Sequence, residues 1–125
     1  MSKIIKIISK NLEFFIELND SKTSQKILRK IPLSSTARRW GDEIYFQIPV
    51  QTELENSVEI LSVGSVAFWP PGSAFCIFFG KTPASTGADP QAASPVTIIG
   101  KILKSEDILK LKEISDGDTI ELKTK

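Results

Sequence analysis

The sequence predicts a mostly β protein, an antiparallel barrel or sandwich with two short helices closing its ends. Three observations carry this expectation. Short segments with apolar residues at alternate positions recur along the chain. Clusters of Gly, Pro, Asn, Asp and Ser separate them. No strand–helix–strand alternation appears, so a parallel sheet is not expected. At 125 residues the chain suits one domain, 1–125, and 41% hydrophobic content is enough for an independent core.

The elements follow in order. Lys3 to Ile8 is Ile-rich and reads as a strand, with a turn at Ser9-Lys10-Asn11. Glu13 to Leu18 sets Phe14, Ile16 and Leu18 on one face and Glu13 and Glu17 on the other, with Phe15 intruding; the two segments form a hairpin. Asp20 or Ser21 caps a short helix that runs to about Lys30, buries Ile27 and Leu28 and stops at Pro32. Ser34 to Asp42 is polar and reads as a loop. Glu43 to Ile48 is a strand with Ile44, Phe46 and Ile48 facing one way and Glu43, Tyr45 and Gln47 the other. Gln51 to Ser57 is acidic and exposed.

Val58 to Val63 and Ser65 to Trp69 are short strands around Gly64, followed by a Pro70-Pro71-Gly72 turn. Phe75 to Phe79 is the most apolar run and reads as a central strand. Residues 81–95 form a long surface loop of the kind that carries function. Val96 to Leu103 is a strand broken by Gly100. Ser105 caps a second helix with Ile108, Leu109 and Leu111 on its apolar side and Glu106 and Asp107 in its first turn. Asp116-Gly117-Asp118 turns into a last strand, where Ile120 and Leu122 alternate with polar residues.

Composition excludes several functions. No apolar run approaches the ~20 residues of a membrane span, and Met1 to Lys10 does not read as a signal peptide. Sixteen basic and fifteen acidic residues leave a net charge of +1. The excess of seven basic over three acidic side chains in residues 1–30 is offset by two over five in residues 31–80. No phosphate track emerges, so no nucleic-acid partner is expected. With no histidine, the Ser-His-Asp and Cys-His systems and the commonest metal ligand are absent. Cys76 is the single cysteine and reads as a small core residue, which suits a reducing, cytoplasmic setting. No cofactor or metal is expected.

The motifs identify no known chemistry. Gly80-Lys81-Thr82 fails as a phosphate loop, because Phe75 stands where a glycine is required and Pro83 follows. Asp116-Gly117-Asp118 lacks the ligands of an EF-hand. Glu53, Glu55 and Glu59 are expected to be solvated. Arg38-Arg39-Trp40 is able to grip a carboxylate or a peptide backbone, although a loop with Trp40 on the core and both arginines in solvent is the favoured expectation. Trp69-Pro70-Pro71-Gly72 either walls a ligand pocket or plugs one end of the barrel.

The stretch Ser73-Ala74-Phe75-Cys76-Ile77-Phe78-Phe79-Gly80-Lys81-Thr82-Pro83 resembles the cyclophilins, which carry Ser-Gln-Phe-Phe-Ile-Cys-Thr-Ala-Lys-Thr-Pro. Val96 to Ile102 is similar to their Val-Phe-Gly-Lys-Val strand. Tyr45-Phe46-Gln47-Ile48-Pro49 is similar to Phe-His-Arg-Ile-Ile-Pro, and Gly64 to Pro70 to Gly-Ile-Leu-Ser-Met-Ala-Asn. The Gly-Asp-Glu-Ile-Tyr-Phe, Trp-Pro-Pro-Gly and Phe-Phe-Gly-Lys-Thr-Pro stretches are similar to small bacterial and archaeal cyclophilin-like proteins of unknown function. The resemblance implies a closed eight-stranded antiparallel barrel capped by two helices.

The departures matter for function. The arginine that polarises the prolyl nitrogen in the isomerases is replaced by Gln47 or Ile48. Their glutamine becomes Ala74, the phenylalanine that floors the proline pocket becomes Cys76, and the tryptophan after Lys-Thr-Pro becomes Ala84. Trp69-Pro70 replaces the Ala-Asn shelf and removes a backbone donor. The expected function is a binding module for a peptide or small molecule, without ordinary prolyl isomerase activity. Its expected binding face holds Tyr45, Gln47, Trp69, Phe75 and Phe78, with Arg38 or Arg39 as anion partners. Strand alternation puts either Phe75 or Phe78 in the core. A divergent isomerase, and an enzyme on a small organic substrate using Tyr45, Lys81 or a carboxylate, remain as alternatives. A monomer and a homodimer are both compatible with the sequence.

Overall fold

The computed structural model describes residues 3–125, so the first two positions of the Met1–Lys10 stretch lie outside it. The expected hairpin is β1 (Lys3–Ser9) against β2 (Leu12–Leu18), with Ile5 opposite Ile16 and Ile7 opposite Phe14. These four side chains are fully buried, as the alternation requires. Helix α1 (Lys22–Leu28) is capped by Ser21, whose side chain accepts from the Ser24 N–H at 3.0 Å. Glu55 accepts from the Lys22 and Thr23 N–H groups, so this residue is a cap in trans rather than a free surface carboxylate.

Strands β3 (Leu33–Thr36) and β4 (Arg38–Arg39) replace the expected 34–42 loop. They precede β5 (Glu43–Gln47), β6 (Val58–Ile60), β7 (Ser65–Trp69) and β8 (Ala74–Phe78), with a 3-10 turn over Pro70–Gly72 before β8. Strand β9 (Gln91–Ile102) starts well inside the expected 81–95 loop. Small residues at its start, Ala92 among them, carry too little hydrophobic contrast to announce a strand, yet β6 pairs with it there. The second helix is a 3-10 segment, Ser105–Glu113, without a side-chain cap from Ser105. It buries Leu111 and Asp107 and leaves Leu109 71% exposed, against expectation. The chain ends in β10 (Thr119–Thr124).

The strands pair antiparallel in the order β3-β10-β1-β2-β9-β7-β8-β5-β4, with β6 attached to β9. The expected closed, eight-stranded barrel is therefore corrected: the described residues form ten strands, and the ladder is not closed. Its two edge strands, β3 and β4, are consecutive pieces of one extended stretch separated by Ala37. The Ala37 N–H donates to the Asp118 carbonyl, and its carbonyl accepts from the Gly117 N–H. These bonds go to a turn and not to a neighbouring strand, so the ladder stops there. Across the gap, the Ser35 hydroxyl donates to the Gln47 carbonyl at 2.6 Å.

The main core fills the inner face of the curved sheet. Phe46 and Phe75 stack there with ring centroids 5.0 Å apart, and Ile27 of α1 and Leu111 of the 3-10 segment close over it. The opposite face of β5, β8 and β7 carries a smaller cluster, Ala67, Ala74, Cys76 and Phe78, partly covered by Leu61, Ala92 and Val96. This cover is incomplete, and the gap in it is the candidate site.

A half-open aromatic cavity on the outer face of the sheet

The cavity has a volume of about 170 Å³. Its walls come from Trp40, Glu43, Tyr45, Trp69, Cys76 and Phe78, and β9 adds only small side chains. Each position follows from strand geometry. Glu43 and Tyr45 share the outer face of β5, as alternation predicted, and stand opposite Phe78 and Cys76 of β8. Trp40 and Glu43 exchange backbone hydrogen bonds of 2.9 and 3.2 Å across the turn between β4 and β5, which brings the Trp40 ring to the same edge. Trp69 ends β7, and its indole N–H donates to the Ser94 hydroxyl at 2.7 Å. Gly72 lies under the same ring, where a Cβ would meet the ring carbons at 2.7 and 2.8 Å. Trp69 is thus held from both sides before any ligand arrives.

Glu43 is the chemically distinctive member. It is buried, with 6% of its surface exposed. Burial pushes its carboxyl up to about 7, against a smaller lowering by the neighbouring Cys76 thiol. The Cys76 thiol is pushed well up as well, first by its own burial and then by the Glu43 charge, so it stays protonated. No lysine or arginine lines the cavity. The result is a carboxyl at the edge of protonation, flanked by aromatic rings, with no basic side chain on the cavity wall.

A second hollow of about 430 Å³ adjoins the first. Tyr45 and Trp69 form the partition, and Arg38, Gln47, Ser35 and Thr36 line the far side. Arg38 is exposed there, in register with Tyr45.

Tyr45, Trp69 and Phe78 of the expected binding face therefore meet at the cavity, and Gln47 and Arg38 meet at the adjoining hollow. Phe75 is the phenylalanine that alternation sends to the core. Arg39 is committed elsewhere. It donates to the Ile114 carbonyl at 2.9 Å and the Gly41 carbonyl at 3.0 Å, pairs with Asp42 at 3.4 Å, and lies 5.0 Å above the Phe79 ring. Arg39 thus braces the turn that carries Trp40. Lys81 is exposed and lines neither hollow. Sequence reasoning missed Glu43 as a site residue, although its shared face with Tyr45 was the signal. Among the described residues no three His, Cys, Asp or Glu side chains stand close enough to hold a metal ion, and no helix is long and apolar enough to cross a membrane.

Residues 3–123 match the family described as Cyclophilin-like. A hypothetical protein from Archaeoglobus fulgidus, known from a solution structure, is 38% identical, with 99% of this chain and 95% of that chain covered and a TM-score of 0.82. No curated protein matches.

Proposed function

We propose that this chain, which belongs to the cyclophilin-like family, is a binding module that takes a small molecule or one side chain of a peptide into the aromatic cavity, without ordinary prolyl isomerase activity. The observation that carries the reading is the cavity itself: a hollow walled by Trp40, Tyr45 and Trp69 and floored by Cys76, the position that corresponds to the phenylalanine under the isomerases' proline pocket. Ligand sites combine apolar walls with a few placed polar groups, and here Glu43 is the placed group. At about 170 Å³ the cavity is far smaller than a site for a drug-sized ligand, so a head group or side chain is the suitable occupant. In this reading the protein acts in the cytoplasm, as a monomer or homodimer, without nucleic acid or membrane.

Catalysis of prolyl isomerisation needs a donor aimed at the prolyl nitrogen. Gln47 or Ile48, in place of the arginine, brings no cation. One observation favours a second reading, a divergent isomerase: Arg38 lines the hollow beside Gln47 and supplies a cation from the neighbouring strand. A single experiment separates the two. Labelled protein is titrated with a proline-containing tetrapeptide while exchange spectra are recorded on the peptide. The binding reading expects shifts at Tyr45, Trp69 and Ala74 with unaccelerated cis–trans exchange. Faster exchange that disappears in Arg38→Ala establishes the isomerase instead. Absence of shifts with peptides and with small molecules alike overturns the binding reading.

A further inference from the structure

We propose that the cavity recognises a methylated or quaternary ammonium group, with the Glu43 carboxylate as its counter-ion and Trp40, Tyr45 and Trp69 as the surrounding aromatic walls. The inference rests on the binding reading above and names the chemistry of its ligand. Three observations converge. The cavity is lined by two indoles and a phenol, and the faces of such rings attract a cation through their quadrupoles, most strongly once it is desolvated. Glu43 is the one carboxyl on the wall, and no basic side chain neutralises it there. Its volume of about 170 Å³ is close to the roughly 150 Å³ that accepts a benzene-sized guest, which suits a trimethylammonium head and excludes a bulky ligand.

The alternatives to a cation fit less well. A purely apolar guest offers the carboxyl no partner, so it is accommodated only by the protonated form. An anionic guest meets like charge. An ordinary primary ammonium is more strongly hydrated than a methylated one, and few acceptors line the wall to replace that water. A bulky, weakly hydrated cation leaves less water behind, and Glu43 neutralises it.

The pH dependence follows from the groups that face Glu43. On β8 it faces the Cys76 thiol, which burial keeps protonated, and on its own strand the Tyr45 phenol. On the turn to β4, Arg39 and Asp42 pair with each other. Lys81 and Asp89, in the segment between β8 and β9, line no part of the cavity. Only Glu43 changes charge there between pH 6 and 8, and only its ionised form attracts the cation.

The test uses the intact protein, choline as probe, and the neutral alcohol in which carbon replaces the quaternary nitrogen as isostere. Binding is followed by Trp69 and Trp40 indole resonances. The expected result is choline affinity at least tenfold above that of the isostere, rising about tenfold from pH 6 to pH 8 as Glu43 ionises, and lost in Glu43→Gln. The wild-type pH profile keeps the test decisive if the variant misfolds. Equal affinity for choline and isostere overturns the ammonium assignment and leaves the binding reading intact. Loss of both, together with no response to peptide, overturns both.

Discussion

At the scale of single residues, Glu43 carries a burial cost that depends on pH. Its carboxyl, normally near 4.5, is raised to about 7 by burial. The folded protein therefore holds a proton that the unfolded chain has released between these values. Stability contributed at this site falls as pH rises from about 4.5 to 7, and the loss is complete above 7. Its size is about 3 kcal/mol at most, from one pKa unit being worth 1.36 kcal/mol. Glu55 acts in the opposite sense. The Thr23 hydroxyl, and then the backbone N–H groups at the α1 start, hold its carboxyl low, so its contribution is present above the ordinary value and lost in acid. The two windows do not overlap. Glu43→Gln is expected to gain on the wild type steadily between pH 5 and 7, read from urea midpoints across pH. Parallel curves for the two proteins would show that the carboxyl is not penalised by its burial.

At the scale of elements, β9 shows how one residue shapes a strand and how little of that is written in hydrophobic pattern. Between the Ala67–Ile98 and Val66–Gly100 pairs the register slips, leaving Ile99 as the extra residue of a bulge. Its freed carbonyl accepts from the Asn19 N–H at 2.8 Å and the Ser24 hydroxyl at 2.9 Å, which ties α1 to the sheet. Gly100 is required at this bend, because a Cβ there would fall on the Glu17 carbonyl. Gly100→Ala is expected to cost about 2–3 kcal/mol, the upper part of the roughly 1–3 kcal/mol of an overpacked core. Gly87→Ala, in open space, is expected to be nearly neutral. Comparable thermal midpoints for the two variants would mean that β2 and β9 are free to separate. The sequence reading saw Gly100 as a break but not the bulge, since register depends on the partner strand. The same limit hid the start of β9, the two short strands at 33–39, and the 3-10 character of 105–113, whose one exposed leucine breaks the helical stripe. Alternation made β2, β5 and β10 legible, Ile richness β1, and a continuous apolar run β8, whose five residues are all buried. Of the site, Tyr45 and Trp69 were legible as outward aromatics. Glu43 was not, because a carboxylate at a strand start ordinarily faces water.

At the scale of the whole molecule, the sheet curls until its two edges are held by one stretch of chain rather than by a ladder. β8 lies deep in the order, paired on both sides by β5 and β7, and its five residues are all buried. β4 is two residues long and pairs on one side only. At Ala37 the chain passes from one edge to the other, with its N–H held by the Asp118 carbonyl in a turn. Opening that turn frees the Ala37 amide without unpairing a central strand. Opening Cys76 requires the loss of two ladders and the core beneath them. Native-state hydrogen exchange is therefore expected to rank them: Cys76 and Ile77 exchange only through global unfolding, and Ala37 exchanges at least about tenfold faster through local opening. Denaturant dependence sharpens the comparison, because global opening exposes much surface and is strongly accelerated, whereas local opening is almost insensitive. Equal rates with equal denaturant slopes would sink this account and mean that the gap is as firmly closed as a paired seam. The cavity lies between these extremes. Its floor, Cys76 and Phe78, belongs to the most firmly held strand, whereas Trp40 stands on the turn beyond β4, braced by Arg39 against Ile114 and Phe79. The cavity thus joins a floor on the doubly paired β8 to a wall that stands beyond the two-residue edge strand β4.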